Sequence, residues 1–174
     1  DIDSAVDGAI IAKYRNAGQT CVCANRFYVQ DAVYDAFVAK LAAKAGAITV
    51  GNGFDAGIQQ GPMIDDAAVA KIEQHVADAS AKGATVLTGG RRVGARFYEP
   101  TVLAGATQDM LCAREETFGP VAPVFRFTTE AEAVAHANAT DYAFAAYVFT
   151  DSMSTRARLV AGLRASNIGV NQLA

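Results

Sequence analysis

The chain has 174 residues, 52% of them hydrophobic, with 15 basic and 18 acidic side chains and a formal net charge of −3. This nearly balanced charge gives no indication of a nucleic acid or a membrane surface as partner, and no apolar run approaches the ~20 residues of a membrane-spanning helix. The three cysteines, an odd number with two nearly adjacent, do not form the disulfide framework of a small secreted protein, so a reducing, cytoplasmic location is expected.

The first half of the chain predicts three helices and one strand. Apolar residues recur at helical spacing near the start, at Ile2, Val6, Ala9, Ile10 and Tyr14. Gly18 stands where a residue in the left-handed conformation would end this helix. A buried strand is predicted at 27–29, and Asp31 is expected to cap a second helix. After a glycine-rich loop, a third helix is predicted from Asp65 to a stop at Gly83.

The second half of the chain predicts strands that alternate with helices. Thr129 and Glu132 form a capping-box pattern that opens one helix, and Asp151 is expected to start the last one. The predicted strands are at 85–87, 99–103, 121–127, 144–149 and 168–170. Because most strands are apolar on both faces, the pattern predicts an α/β fold with a mostly parallel sheet covered by helices. Residues 1–174 are expected to form a single domain.

The most informative segment is 14–26, YRNAGQTCVCANR, which places Cys21 on a loop between a helix and a strand. A thiol held by rigid flanks and backbone N–H groups can be activated as a nucleophile. Equally, Cys21 and Cys23 can be small apolar residues of the core, where free cysteines are often buried. A zinc site needs about four ligands. The other Cys and His residues lack paired spacing, so no metal is predicted; they are His75, Cys112 and His136.

Two segments resemble the signatures of the aldehyde dehydrogenase superfamily. In the first segment, GQTC followed by ANR, the cysteine is the catalytic nucleophile of the family, and in this chain it is Cys21. In the second, EETFGP at 115–120, the second glutamate and the phenylalanine hold the nicotinamide ribose and ring, which corresponds to Glu116 and Phe118. The resemblance extends along the whole chain. It implies NAD or NADP as cofactor and a small-molecule aldehyde as substrate.

The resemblance also implies a covalent mechanism. The Cys21 thiolate attacks an aldehyde to give a thiohemiacetal, a hydride passes to the nicotinamide, and the resulting thioester is hydrolysed. The backbone N–H of Cys21 would donate to the oxyanion. Glu116 has two interpretations, the base that activates water or the acceptor for the ribose hydroxyls, and the ETFGP context favours the ribose. Phe118 would offer its flat face to the nicotinamide ring.

Arg15 and Cys23 carry more specific expectations. Arg15 resembles the arginine with which succinate-semialdehyde dehydrogenases hold the distal carboxylate of their substrate, a contact that suits a guanidinium. Alternatively, Arg15 is a structural cation at the end of the helix, where a positive charge interacts favourably with the helix dipole. In the same branch some members close a disulfide between the positions of Cys21 and Cys23 as a redox switch, and others do not. The expected activity is oxidation of succinate semialdehyde to succinate, with another aldehyde as the alternative.

The resemblance places several parts of the site upstream of Asp1, namely the general-base glutamate, the oxyanion-hole asparagine and the glycine-rich cofactor loop. The chain is therefore expected to be a fragment that is inactive alone, from a homo-oligomeric parent. Met63 stands where some relatives carry a polar residue that contacts the cofactor. Ala143 stands where a glycine is common. Two other classes stay open: a cysteine hydrolase or acyltransferase, which would need a histidine beside Cys21, and a non-catalytic module.

Overall fold

The computed structural model describes residues 1–142 and 144–173, so Ala143 lies outside the described residues. The helices are α1 (Ile2–Tyr14), α2 (Asp31–Gly46), α3 (Asp66–Ala81), α4 (Leu111–Arg114), α5 (Glu130–Asn138) and α6 (Met153–Gly162). The strands are β1 (Phe27–Gln30), β2 (Thr85–Thr88), β3 (Thr101–Ala106), β4 (Val121–Phe127), β5 (Ala145–Val148) and β6 (Asn167–Val170). Of these elements, the short helix α4 was not predicted from the sequence.

The strands form a mostly parallel arrangement, which confirms the predicted fold class. The larger sheet has the order β1-β4-β3-β2, in which β4 pairs parallel with both of its neighbours and β2 is antiparallel to β3. A separate two-stranded parallel sheet contains β5 and β6. The sequence pattern predicted only one sheet, because the alternation of strands and helices does not specify which strands pair.

The larger sheet separates two hydrophobic clusters, and β4 contributes to both of them. Val121 and Phe125 point to the cluster that contains α3. Ala122 and Val124 point to the cluster that contains α1 and α2. Successive side chains of a strand face opposite sides of the sheet, so a strand covered by helices on both sides reads as continuously apolar. This burial explains the apolar run at 121–125.

Several helices begin at a side-chain cap, but not always at the predicted residue. Asp65 caps α3 by accepting a hydrogen bond from the Ala68 N–H (2.7 Å), at the residue where the sequence predicted that the helix begins. Asp31 is not a cap: it lies inside α2, and its carboxylate accepts a hydrogen bond from Arg126 on β4 (2.6 Å). The last helix is capped by Ser152 rather than started by Asp151. In the part of the chain that the structure describes, no helix has the length and apolar character to cross a bilayer.

Candidate active site

The loop that carries Cys21 begins with an unusual turn at the end of α1. Asn16, Ala17 and Gly18 all have positive φ, at 50°, 56° and 75°. Gly18 was predicted to be left-handed, but Ala17 was not, and a non-glycine residue in this region costs about 1–2 kcal/mol. The Asn16 side chain donates to the Gln19 carbonyl (3.1 Å) and so stabilises the turn. Cys21 follows it on the exposed surface.

Hydrogen bonds from two directions hold this loop in place. The Gln19 side chain accepts from the Ile64 N–H (2.9 Å) and donates to the Pro62 carbonyl (3.3 Å), which joins the loop to the segment before α3. From the smaller sheet, the Tyr147 hydroxyl donates to the Val22 carbonyl (2.8 Å). None of these bonds involves the Cys21 side chain, so they hold the path of the loop whatever side chain residue 21 carries.

The cysteine loop and the EETFGP segment, about ninety residues apart in the sequence, are in direct contact. Asn25 donates to the Glu115 carbonyl (3.2 Å) and accepts from the Thr117 N–H (2.9 Å), so one amide holds the backbone on both sides of Glu116. Gly18 packs against Gly119 so closely that a β-carbon at residue 18 would lie 2.2 Å from the Gly119 carbonyl oxygen. Sequence spacing alone did not predict this contact.

The predicted site residues divide into two groups. Cys21, Cys23 and Glu116 line one groove of about 990 Å³ between the larger sheet and the β5–β6 sheet. Arg15 and Phe118 are not among the described residues that line it, although both are exposed. Phe118 is 38% exposed and has a φ of 51°, a backbone conformation that a bulky residue rarely adopts. The structure therefore presents this aromatic ring at the surface, as a ring-stacking role requires.

Arg15 has a guanidinium that is available for a ligand. Its side chain is exposed and makes no hydrogen bond or ion pair with any described residue. It also follows the last residue of α1, where a cation interacts favourably with the helix dipole. Both of the roles expected from the sequence are therefore compatible with its position.

The three thiols have different surroundings. Cys21 is exposed, whereas Cys112 is buried in α4, where burial raises the pKa of its thiol to about 11. Cys23 Sγ lies 2.8 Å from Thr20 Oγ1 and donates weakly to the Arg15 carbonyl at 3.7 Å. All three are free thiols, so the pairing of Cys21 with Cys23 stays a prediction.

Lys13 is a site residue that the sequence reasoning missed. It is 1% exposed, and its amine makes no hydrogen bond with a described residue. Burial lowers the pKa of Lys13 to about 8, while the charges of Cys23 and Glu116 oppose this shift. The sequence contains one indication that Lys13 is buried: it lies four residues after Ala9, on the apolar face of α1.

The two histidines lie away from the proposed nucleophile, since neither makes a hydrogen bond with Cys21. His75 contacts Thr117 and Glu115, and the backbone of His136 accepts from Tyr28 and Arg26. This arrangement does not support a cysteine hydrolase. Within residues 1–142 and 144–173, no cluster of three His, Cys, Asp or Glu side chains could hold a metal ion.

We expect Cys21 to react with alkylating agents well before Cys112, because it is exposed whereas Cys112 is buried with a raised pKa. The measurement is limited reaction of the folded protein with iodoacetamide, followed by peptide mass spectrometry. The same protein unfolded in guanidinium is the control, in which both cysteines should be labelled. Dominant labelling of Cys112 in the folded protein would contradict the assignment.

Comparison with known proteins agrees with the resemblance of the two motifs. The whole chain, residues 1–174, matches the model of the aldehyde dehydrogenase family. It is 51% identical over 171 residues to glutarate-semialdehyde dehydrogenase of Pseudomonas putida, with 98% of this chain and 36% of that protein covered. It is also 51% identical over 176 residues to 3-sulfolactaldehyde dehydrogenase of Pseudomonas putida, with 100% of this chain and 36% of that protein covered.

A solved structure gives the same result for the fold. The succinate-semialdehyde dehydrogenase of Burkholderia pseudomallei superposes with a TM-score of 0.97 at 51% identity, over 99% of this chain and 36% of that one. The chain thus spans about a third of the length of the relatives that it matches. Its full-length match to the family model and its superposition show that the chain belongs to the aldehyde dehydrogenase family.

Proposed function

We propose that this chain is the cysteine-bearing catalytic domain of a longer dehydrogenase that oxidises an aldehyde to a carboxylate with NAD or NADP. The first candidate substrate is succinate semialdehyde, and the product is succinate. The observation that carries the proposal is the contact between the two motifs through Asn25, because it brings Cys21 and Glu116 into one groove. The isolated chain is expected to be inactive, because it covers only 36% of the length of the first relative.

The proposed chemistry begins with attack of the Cys21 thiolate on the aldehyde carbon, which forms a C–S bond and places the negative charge on oxygen. The Cys21 N–H donates to this oxyanion. When bound, the nicotinamide cofactor accepts the hydride that leaves the thiohemiacetal carbon. Water then cleaves the thioester to release the carboxylate and regenerate the thiol. The Lys13 amine is buried, and its positive charge interacts with Cys23 and Glu116, which favours the anionic forms of these two groups.

The residues present fit the nicotinamide end of the cofactor. The Glu116 carboxylate is exposed in the groove and can accept hydrogen bonds from two ribose hydroxyls. The Phe118 ring is exposed two residues later, outside the groove lining, and its contact with the nicotinamide ring is proposed from the EETFGP motif. The general base for thioester hydrolysis is proposed to be the glutamate that the family resemblance places upstream of Asp1.

The substrate is proposed to carry an anionic group at its far end. Two of the relatives above are named for aldehydes with a carboxylate and one for an aldehyde with a sulfonate. Arg15 supplies an unpaired guanidinium, which suits either anion. The function is tested by supplying the full-length protein with NAD or NADP and each of the three aldehydes. Formation of reduced cofactor is followed by absorbance, and an acyl group on the Cys21 peptide by mass spectrometry.

We expect Arg15→Gln to lower kcat/KM for succinate semialdehyde by about 30- to 1000-fold, because it removes a charge-assisted contact to the distal carboxylate. An uncharged aldehyde such as butanal never makes this contact, so its kcat/KM should change little. Steady-state kinetics of both aldehydes on the full-length protein provide the measurement.

The matched control for this variant is Arg156→Gln, because Arg156 is an exposed arginine on α6 and is not part of the segment that carries Cys21. It should leave both rates unchanged. Equal losses for the two aldehydes in Arg15→Gln, together with a lower Tm, would instead indicate the helix-end role and remove the anionic-substrate assignment.

A further inference from the structure

His75, on α3, contacts the segment that carries the proposed cofactor residues Glu116 and Phe118. We propose that His75 is a positioning residue, which fixes this segment in the conformation that binds the nicotinamide end of the cofactor. The inference rests on the proposed function, since it takes Glu116 and Phe118 as cofactor contacts. It adds a residue of α3 that neither motif contains.

The imidazole of His75 contacts the residues on both sides of Glu116. Its side chain is fully buried. Nδ1 lies 2.9 Å from Thr117 Oγ1, and Nε2 lies 3.4 Å from Glu115 Oε2. Thr117 is itself buried, whereas the Glu115 side chain is half-exposed. The middle of α3, whose buried face otherwise belongs mainly to the hydrophobic core, therefore makes two polar contacts with the proposed site.

The partners determine which ring nitrogen of His75 carries the proton. An ionised carboxylate can only accept hydrogen bonds, so Nε2 must donate to Glu115. Nδ1 is then the acceptor, and the Thr117 hydroxyl donates to it. A neutral imidazole in this tautomer satisfies both of its nitrogens, and it constrains the direction of the Thr117 hydroxyl as well as the Glu115 side chain.

The neutral form of His75 is favoured by its surroundings. Burial lowers the pKa of His75 below its ordinary value, and the Glu115 carboxylate opposes this shift. On the same helix, the charge of Lys71 also lowers the pKa, whereas that of Asp78 raises it. The hydrogen-bond pattern with one donor and one acceptor is therefore maintained at neutral pH.

The same segment is also held by Asn25, which lies on the loop after Cys21. This amide bonds the backbone of Glu115 and Thr117, while His75 bonds their side chains. Glu116 is consequently flanked by two fixed residues, and the conformational freedom that remains is mainly in its own side chain. Phe118, with its left-handed backbone, follows directly. Such preorganisation lowers the entropy that cofactor binding must overcome.

A histidine that only fills the core would give a different experimental result. Its loss would lower stability, and it would affect the binding of aldehyde and cofactor together or neither of them. A positioning residue of the cofactor segment should instead alter cofactor binding selectively. The decisive quantity is therefore the change in cofactor Kd relative to the change in aldehyde KM, rather than the activity alone.

The first test is His75→Leu in the full-length protein, which removes both hydrogen bonds. We expect the Kd for the cofactor to rise by about 10-fold or more, while KM for the aldehyde stays within about 2-fold. Cofactor binding is measured without turnover, by fluorescence titration with NAD⁺ or NADP⁺, whichever the wild type binds. The control is Val69→Ala, a buried position on the same helix, which should lower Tm without changing this Kd.

The second test removes the Thr117 hydroxyl and leaves the His75 ring unchanged. It also applies if His75→Leu fails to fold. Thr117→Val removes the donor to Nδ1 at nearly unchanged volume, whereas Thr117→Ser retains it. We expect Thr117→Val to weaken cofactor binding and Thr117→Ser to bind like the wild type.

Each outcome bears on the proposal. A selective rise in Kd for His75→Leu or Thr117→Val supports it. An unchanged Kd in a folded variant, or equal effects on cofactor and aldehyde, overturns it while leaving the proposed function in place. A wild-type protein that binds neither NAD⁺ nor NADP⁺ overturns the proposed function and this inference with it.

Discussion

Replacement of Cys21 by serine in the full-length protein should lower kcat for aldehyde oxidation by about 1000-fold or more. A serine hydroxyl stays protonated near neutral pH, and neither histidine is placed to deprotonate it. Because Cys21 is exposed and the loop is anchored through its backbone, Tm should stay nearly constant. Cofactor binding should also be retained. The measurements are steady-state kinetics, Tm and titration with the cofactor.

The matched control is Cys23→Ser, two residues along the same loop. A serine at this position can keep a hydrogen bond with Thr20, whose hydroxyl lies 2.8 Å from Cys23 Sγ. Activity should remain within a few-fold of the wild type, on the order of the loss of one non-reacting contact. Comparable losses in the two variants, or an active Cys21→Ser enzyme, would show that Cys21 is not the nucleophile.

Gly18→Ala should lower the free energy of unfolding by more than about 3 kcal/mol and reduce activity by about 100-fold. The new methyl group would lie 2.2 Å from the Gly119 carbonyl oxygen, a backbone atom that cannot rotate away. Residue 18 also has a φ of 75°, which disfavours alanine. Relief of the clash must move the cysteine loop away from Glu116. Denaturant unfolding and steady-state kinetics check the two effects.

Two other glycines separate the clash from the backbone conformation. Gly57 has a φ of 81° with no atom within 4 Å of the added carbon, so Gly57→Ala should cost only about 1–2 kcal/mol. Gly53 has open space and no positive φ, so Gly53→Ala should cause no loss of stability. If all three variants lost the same stability, the contact with Gly119 would have no special importance.

The fold was largely predictable from the sequence because burial leaves a simple pattern. In β4, alternate residues enter different clusters, so the continuous apolar run at 121–125 predicted a strand covered on both sides. The cap at Asp65 was equally local. Asp31 was misassigned because its preferred partner, Arg126, lies on a strand about ninety-five residues away. Local patterns do not contain such long-range contacts.

The site was predictable only in part, for the same physical reason. Cys21, Glu116 and Phe118 were predicted from two motifs, and their roles stay predictions until they are tested. Asn25 lay within the first motif, but its bonds to Glu115 and Thr117 cross between distant segments. Lys13 and His75 interrupt apolar helical faces, which periodicity detects, but the charges that act on Lys13 and the partners of His75 belong to other elements. Finding those partners requires the three-dimensional structure.

The backbone contact between Gly18 and Gly119 has a consequence for protein engineering. Because no side chain separates these residues, the closest approach of the cysteine loop to the EETFGP segment is set there by backbone atoms, and the Asn25 amide holds the same two segments together. A library designed for new aldehydes can therefore vary exposed positions such as Arg15, whose side chain takes part in neither contact, with little effect on this spacing. Gly18, Asn25 and Gly119 should be left constant in such a library. The residues proposed to contact the substrate and the spacing of the two segments can thus be varied separately.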